Sequence, residues 1–180
     1  NFIRRELLTE RDGLLQATKV SSPSLTRTLA LCASGHIPGS SASKAVERLT
    51  HALFQARESG QSLALCLLDL DHFQAINESE GQRIGDRLLK EVGLRLRRFV
   101  KDESDIARLG GDEFALLLDH TNDLHFITSL AKELLALINQ PILINQHELA
   151  ITSSIGIVLF PDDGKDPQAL LRNADTAMYH

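Results

Sequence analysis

The sequence predicts an α+β domain, with a central, mostly antiparallel sheet flanked by helices. Three observations carry this prediction. Short apolar runs of strand length recur at 62–70, 105–119 and 141–160. The middle run is folded on itself around Gly110-Gly111. The stretches between the runs place apolar residues at helical spacing, so strands and helices mix without a regular alternation.

The first 43 residues read as an N-terminal helical linker or signalling segment, and 44–180 as the domain proper. Within "FIRRELLTERDGLLQATK", Leu7 and Leu14, and Leu8 and Leu15, repeat at seven. Two heptads fit either a short coiled-coil seam or an amphipathic helix packed on its own domain. "ASGHIPGSSAS" (33–43) is small and polar and predicts a loop. A helix is expected from Ser43 to Glu58, with Val46, Leu49, Leu53 and Phe54 on one face. "SLALCLLDL" (62–70) predicts a buried strand ending in acids.

Ile84, Leu88, Val92 and Phe99 mark a helix over 84–99. "DIARL" and "FALLL" predict a hairpin about the glycines, which supply the positive φ angles of a tight turn. Leu124, Ile127, Leu130, Leu134 and Ile138 mark another helix. "PILIN" and "ELAITSSIGIVLF" predict two strands joined at Gln146-His147. "DPQALLRNADTAMYH" predicts a closing helix capped by Asp166.

The chain has 180 residues, 43% of them hydrophobic, enough for one core and one domain. A net charge of −5 argues against a nucleic-acid polymer or an anionic membrane surface as partner. It leaves room for a single nucleotide whose phosphates a metal neutralises. No run approaches the ~20 apolar residues a membrane helix needs, and no signal peptide is visible. The two cysteines, Cys32 and Cys66, give no disulfide framework, which predicts a cytoplasmic setting, with membrane anchoring left to a longer parent. The seven histidines are scattered, with no pair at ligand spacing.

Two acidic clusters concentrate the chemistry. Asp112 and Glu113 follow the glycine turn, where they are either solvated turn residues or part of a site. Asp69 and Asp71 stand two apart at the end of the first strand, a spacing that shares one face. If that strand lies beside the hairpin, Asp69 meets Asp112 at the sheet edge. Carboxylates that close repel, and one takes up a proton unless a cation intervenes. Mg²⁺, a hard cation that accepts carboxylates and keeps substrate phosphates as further ligands, resolves the conflict.

"RLGGDEF" (108–114), "DLDHFQAINESEGQRIGDRLL" (69–89) and "NADTAMY" (173–179) together resemble the GGDEF domain of diguanylate cyclases, over about residues 44–180. The ending is most similar to tandem proteins in which a cyclic di-GMP phosphodiesterase (EAL) domain follows. The resemblance implies a nucleotidyl-cyclase or polymerase-palm-like fold. It also implies condensation of two GTP into cyclic di-GMP and pyrophosphate, with two such domains face to face and Mg²⁺ or Mn²⁺ as cofactor. By position it assigns Asp69, Asp112 and the Leu70 carbonyl to the metal. Glu113 would be a ligand or the general base, so Asp112 and Glu113 stand as the catalytic pair. Gly110 and Gly111 would admit the nucleotide to the backbone, backbone N–H groups near His72 and Phe73 would meet phosphate, and Asn77 and Asp86 would read the guanine edge. Taken without the resemblance, Asn77 reads as a helix-end cap and Asp86 as a surface acid.

The chain also departs from the family. Gln74 replaces a Lys, and Gln82 a His. Ser41 and Ala42 stand where an "LTGLxNR"-like stretch has Asn and Arg. A phosphate-binding Lys and Arg would fall past His180, so a chain ending there is expected to hold triphosphate more weakly. "KDES" (101–104) replaces the inhibitory "RxxD", which predicts no product inhibition through that site. Three functions follow: a cyclase, a GTP-binding module that regulates a phosphodiesterase domain, or a scaffold that binds no nucleotide. Retained acids argue against the scaffold.

Overall fold

The computed structural model describes residues 41–100, 105–119 and 123–178. The predicted N-terminal helix, most of the 33–43 loop and the "KDES" stretch lie outside the described residues. Helix α1 (Ser41–Ser59) opens the domain and leads into strand β1 (Leu63–Leu70). Helices α2 (Phe73–Glu80) and α3 (Gln82–Leu96) follow, the latter running into a 3₁₀ turn at Arg97–Phe99. Strands β2 (Ile106–Gly110) and β3 (Glu113–Asp119) form the hairpin, and α4 (Leu124–Ile138) follows it. Strands β4 (Ile142–Ile144) and β5 (His147–Leu149) form a small second hairpin. Strand β6 (Ser153–Phe160) and helix α5 (Pro167–Met178) close the described chain.

The main sheet has the order β2-β3-β1-β6, and every neighbouring pair is antiparallel. β1 is central and buried on both faces, which is why its sequence is apolar at both parities. Ala64, Cys66, Leu68 and Leu70 face one core, shared with Leu88, Val92, Ile127 and Leu134. Leu63, Leu65 and Leu67 face a second core, shared with Leu49, Leu53, Leu170 and Leu171. The sheet is thus sandwiched between α3 and α4 on one side and α1 and α5 on the other. Burial lifts the Cys66 thiol to a pKa of about 12, so it is an inert core residue.

Polar side chains pin the layers. Arg48 of α1 bonds Asp119 at 2.7 Å and Asp105 at 2.6 Å, clasping the base of the β2–β3 hairpin. Arg95 of α3 is buried, and it donates to the carbonyls of Leu137, Gln140 and Pro141 at 2.8, 2.6 and 2.9 Å. It thereby satisfies the end of α4, where carbonyls lack helical partners. Asp166 caps α5 as expected, accepting from the Ala169 N–H at 2.9 Å. Among the described residues no helix is long and apolar enough to cross a membrane.

Three local expectations are corrected. Residues 41–43 belong to α1, not to the preceding loop, because Ala42 is drawn into the core. The turn after β4 is Asn145-Gln146, both at positive φ, so His147 is already in β5. The long run 148–160 breaks at Ala150–Thr152, and β5 and β6 join different sheets.

Candidate active site

The sheet order brings the two acidic clusters together. β1 pairs with β3 so that Asp69 stands opposite Glu113, and it pairs with β6 so that Asp69 stands opposite Ser154. The hairpin turns on Gly111-Asp112, with Gly110 paired to Glu113 and Gly111 at φ +53°. That φ favours glycine at this position. A bulge between Arg108 and Gly110 precedes the turn, a device that re-aims side chains near sites. Arg108 braces the turn, its Nε donating to the Gly111 carbonyl at 2.8 Å.

Asp69, Asp112 and Glu113 therefore share one end of the sheet. Glu113 is 2% exposed, and Asp69 and Asp112 are half-buried. Burial, then the neighbouring charges of Asp112, Glu113, Asp71 and Asp175, pushes the Asp69 carboxyl up to about 7. Burial also raises Asp112, against a hydrogen bond from its own backbone and the Arg108 guanidinium, which lower it. A concentration of negative charge, only partly offset by Arg108, is the defining property of this corner.

Asp71 is fixed differently. Its carboxylate accepts from the hydroxyls of Thr152 at 2.6 Å and Ser154 at 2.8 Å, and its N–H donates to the Thr152 carbonyl. It ties the end of β1 to β6. His72 follows in the left-handed region at φ 60° and stands just before α2, with no side-chain hydrogen bond to the helix start. The first helical bonds run from Ala75 and Ile76 to the His72 carbonyl, leaving the N–H groups of Phe73 and Gln74 outside the ladder. Such a terminus suits an anion. The Phe73 ring is buried in the core, and Leu70 is buried opposite Ser153. Gln74 is exposed and donates to Glu78 at 2.8 Å. Asn77 lies on α2 and Asp86 on the second turn of α3, where Asp86 is exposed.

Two features escaped the sequence reading. Helix α2 was not anticipated, because it has eight residues and no side-chain cap. Asp175, within the quoted "NADTAMY", carried no assigned role. Helix α5 lies on β6 at Gly156, where a Cβ would fall 2.0 Å from the Ala174 carbonyl. That close approach brings Asp175 into the field of Asp69, with its Oδ1 buried and lacking a hydrogen-bond partner among the described residues.

The donor set is hard oxygen throughout. Among the described residues no group of three or more His, Cys, Asp or Glu side chains is arranged to hold a metal ion by itself. Oxygen donors of this kind are the ones a hard cation such as Mg²⁺ accepts, with water completing its shell.

Comparison with known proteins defines the class. Residues 43–180 match the family model described as diguanylate cyclase, GGDEF domain, and the chain belongs to that family. It is 45% identical over 134 residues to the bifunctional diguanylate cyclase/cyclic di-GMP phosphodiesterase MucR of Pseudomonas aeruginosa, covering 74% of this chain and 19% of MucR. It is 41% identical over 127 residues to the cyclic di-GMP phosphodiesterase NbdA of the same organism, covering 71% of this chain and 16% of NbdA. The chain thus spans less than a fifth of either relative. The crystal structure of the GGDEF domain of TpbB from P. aeruginosa superposes with a TM-score of 0.70 at 38% identity, covering 74% of this chain and 83% of that one.

Proposed function

We propose that this domain is a diguanylate cyclase, condensing two GTP into cyclic di-GMP and pyrophosphate. The observation that carries the reading is the convergence of Asp69, Asp112 and Glu113 beside the N-terminus of α2. Each domain holds one GTP and faces a second copy. Asn77 and Asp86 hold the guanine, and the N–H groups at the start of α2, near His72 and Phe73, receive phosphate. The absence of a Cβ at Gly110 and Gly111 lets the nucleotide lie along the turn.

Asp69, Asp112 and the Leu70 carbonyl are the groups that would hold Mg²⁺ or Mn²⁺, which when bound offsets phosphate charge and favours the ionised 3′-hydroxyl. Glu113, buried beside them, would take the proton of that hydroxyl or serve as a further ligand. The 3′-oxygen of one GTP then bonds to the α-phosphorus of the other, and the bond to pyrophosphate breaks. Two such transfers close the ring.

A second reading is a GTP-binding module that regulates an attached phosphodiesterase (EAL) domain. It is favoured by Gln74, a neutral amide turned onto Glu78 where the family carries a cation, and by the naming of relative NbdA as a phosphodiesterase. Incubating concentrated protein with GTP and Mg²⁺, followed by chromatography, separates the two. Cyclic di-GMP that disappears in Glu113→Gln supports the cyclase. GTP binding without product supports the regulatory module.

A further inference from the structure

Gly85 sits in the first turns of α3, immediately before Asp86, and is buried. A Cβ at this position would fall 1.9 Å from Asn77 Oδ1, 3.0 Å from Asn77 Cγ and 3.2 Å from Phe73 Cζ. The first distance is far inside any real contact, so the Asn77 oxygen occupies the volume that a side chain at 85 would need. The approach is built by the chain reversal at Gly81, at φ +87°. The Gly81 N–H closes α2 on the Asn77 carbonyl at 3.1 Å, and the Gly85 N–H bonds the Gly81 carbonyl at 3.3 Å. Asn77 and Gly85 are therefore held together through one short turn.

An asparagine amide has an acceptor end and a donor end. With Oδ1 seated on Gly85, the donor Nδ2 is the end turned away and available to a base. The carboxylate of an aspartate such as Asp86 offers only acceptors. One donor beside one acceptor complements guanine, which presents the O6 acceptor next to the N1–H and N2–H₂ donors. The same pair opposes adenine, whose N6–H₂ and N1 are reversed.

We infer that Gly85 is a positioning residue for purine selectivity: its missing side chain seats the Asn77 oxygen and so fixes which end of that amide meets the nucleobase. The inference rests on the assignment of Asn77 and Asp86 to guanine. Because the atom displaced is the tip of a side chain, Gly85→Ala is expected to fold and to move Asn77 rather than break the helix pair.

The test is the affinity of the full chain for GTP and for ATP, each with Mg²⁺, by titration calorimetry, together with melting temperatures. Asn77→Ala is expected to weaken GTP by about tenfold, the loss of roughly one hydrogen bond. Gly85→Ala is expected to give a similar loss with ATP unchanged, and to add less than twofold when Asn77 is already alanine. Equal losses for GTP and ATP, or a full additional loss in the double variant, would overturn the inference while leaving the guanine assignment standing. An Asn77→Ala variant with unaltered GTP affinity would overturn both. If Gly85→Ala melts below the assay temperature, Asn77→Asp decides. It keeps an oxygen against Gly85 and removes the donor, so GTP affinity must fall, and retention of wild-type affinity refutes the proposed orientation.

Discussion

Asp69 is the residue on which the site's electrostatics turn. It is a strand residue in an apolar run, half-buried, facing Glu113 across the ladder and close to Asp112, Asp71 and Asp175. Its carboxyl is pushed up to about 7 by burial first and by those neighbours second. The folded chain therefore binds this proton more tightly than the unfolded chain does. The stability it lends is complete below pH ~4, the ordinary aspartate range, and is lost as pH rises to about 7. In EDTA, Asp69→Asn is expected to stabilise the protein at pH 8 by about 1–2 kcal/mol, after discounting for solvent screening of a half-exposed group. The advantage should vanish near pH 4. Denaturant melts at the two pH values check this, and a variant no more stable than wild type at pH 8 contradicts it. Spacing marked a strand ending in acids and a hairpin tipped with acids, but their adjacency was a condition that only the β1–β3 pairing meets. Asp175 was not readable. It lies 106 residues further along, and only the seating of α5 on Gly156 brings it near.

Most helices and strands were legible as elements, because each carries a periodic apolar face wide enough to bury. The failures were at breaks. Residues 148–160 are apolar enough to read as one strand, yet Asp71 draws Thr152 and Ser154 to the end of β1 and divides the run. α2 was hidden because it starts from a left-handed His72 instead of a capping residue. Arg95 shows the opposite case, a charged residue in a helix that reads as surface and is 9% exposed. Its guanidinium satisfies carbonyls at the end of α4 and the start of β4. Arg95→Met keeps much of the packing and orphans those acceptors. It is expected to cost about 3 kcal/mol, the range for breaking a buried charged hydrogen-bond set. A chemical denaturation midpoint unchanged from wild type would show that water replaces the guanidinium without loss.

At the scale of the molecule, β1 is the organising element. It divides two cores and carries the acids at one end only. At its other end Leu63 pairs with Asp119, where Arg48 clasps the hairpin to α1. Anchoring and site thus occupy opposite ends of the same hairpin, so the turn can carry repelling charges while its base stays fixed. The strand order β2-β3-β1-β6 was beyond sequence reading, because β1 pairs with strands 43 and 83 positions away rather than with its neighbours in the chain. The proposed cyclase requires this arrangement to hold a divalent ion and GTP together. Titration calorimetry of the chain with GTP, with and without Mg²⁺, compared with Asp69→Asn, tests it most directly. One GTP per chain is expected, bound only with the ion present, and lost in a variant that still melts cooperatively. Equal binding without Mg²⁺, or undiminished binding by Asp69→Asn, would contradict it.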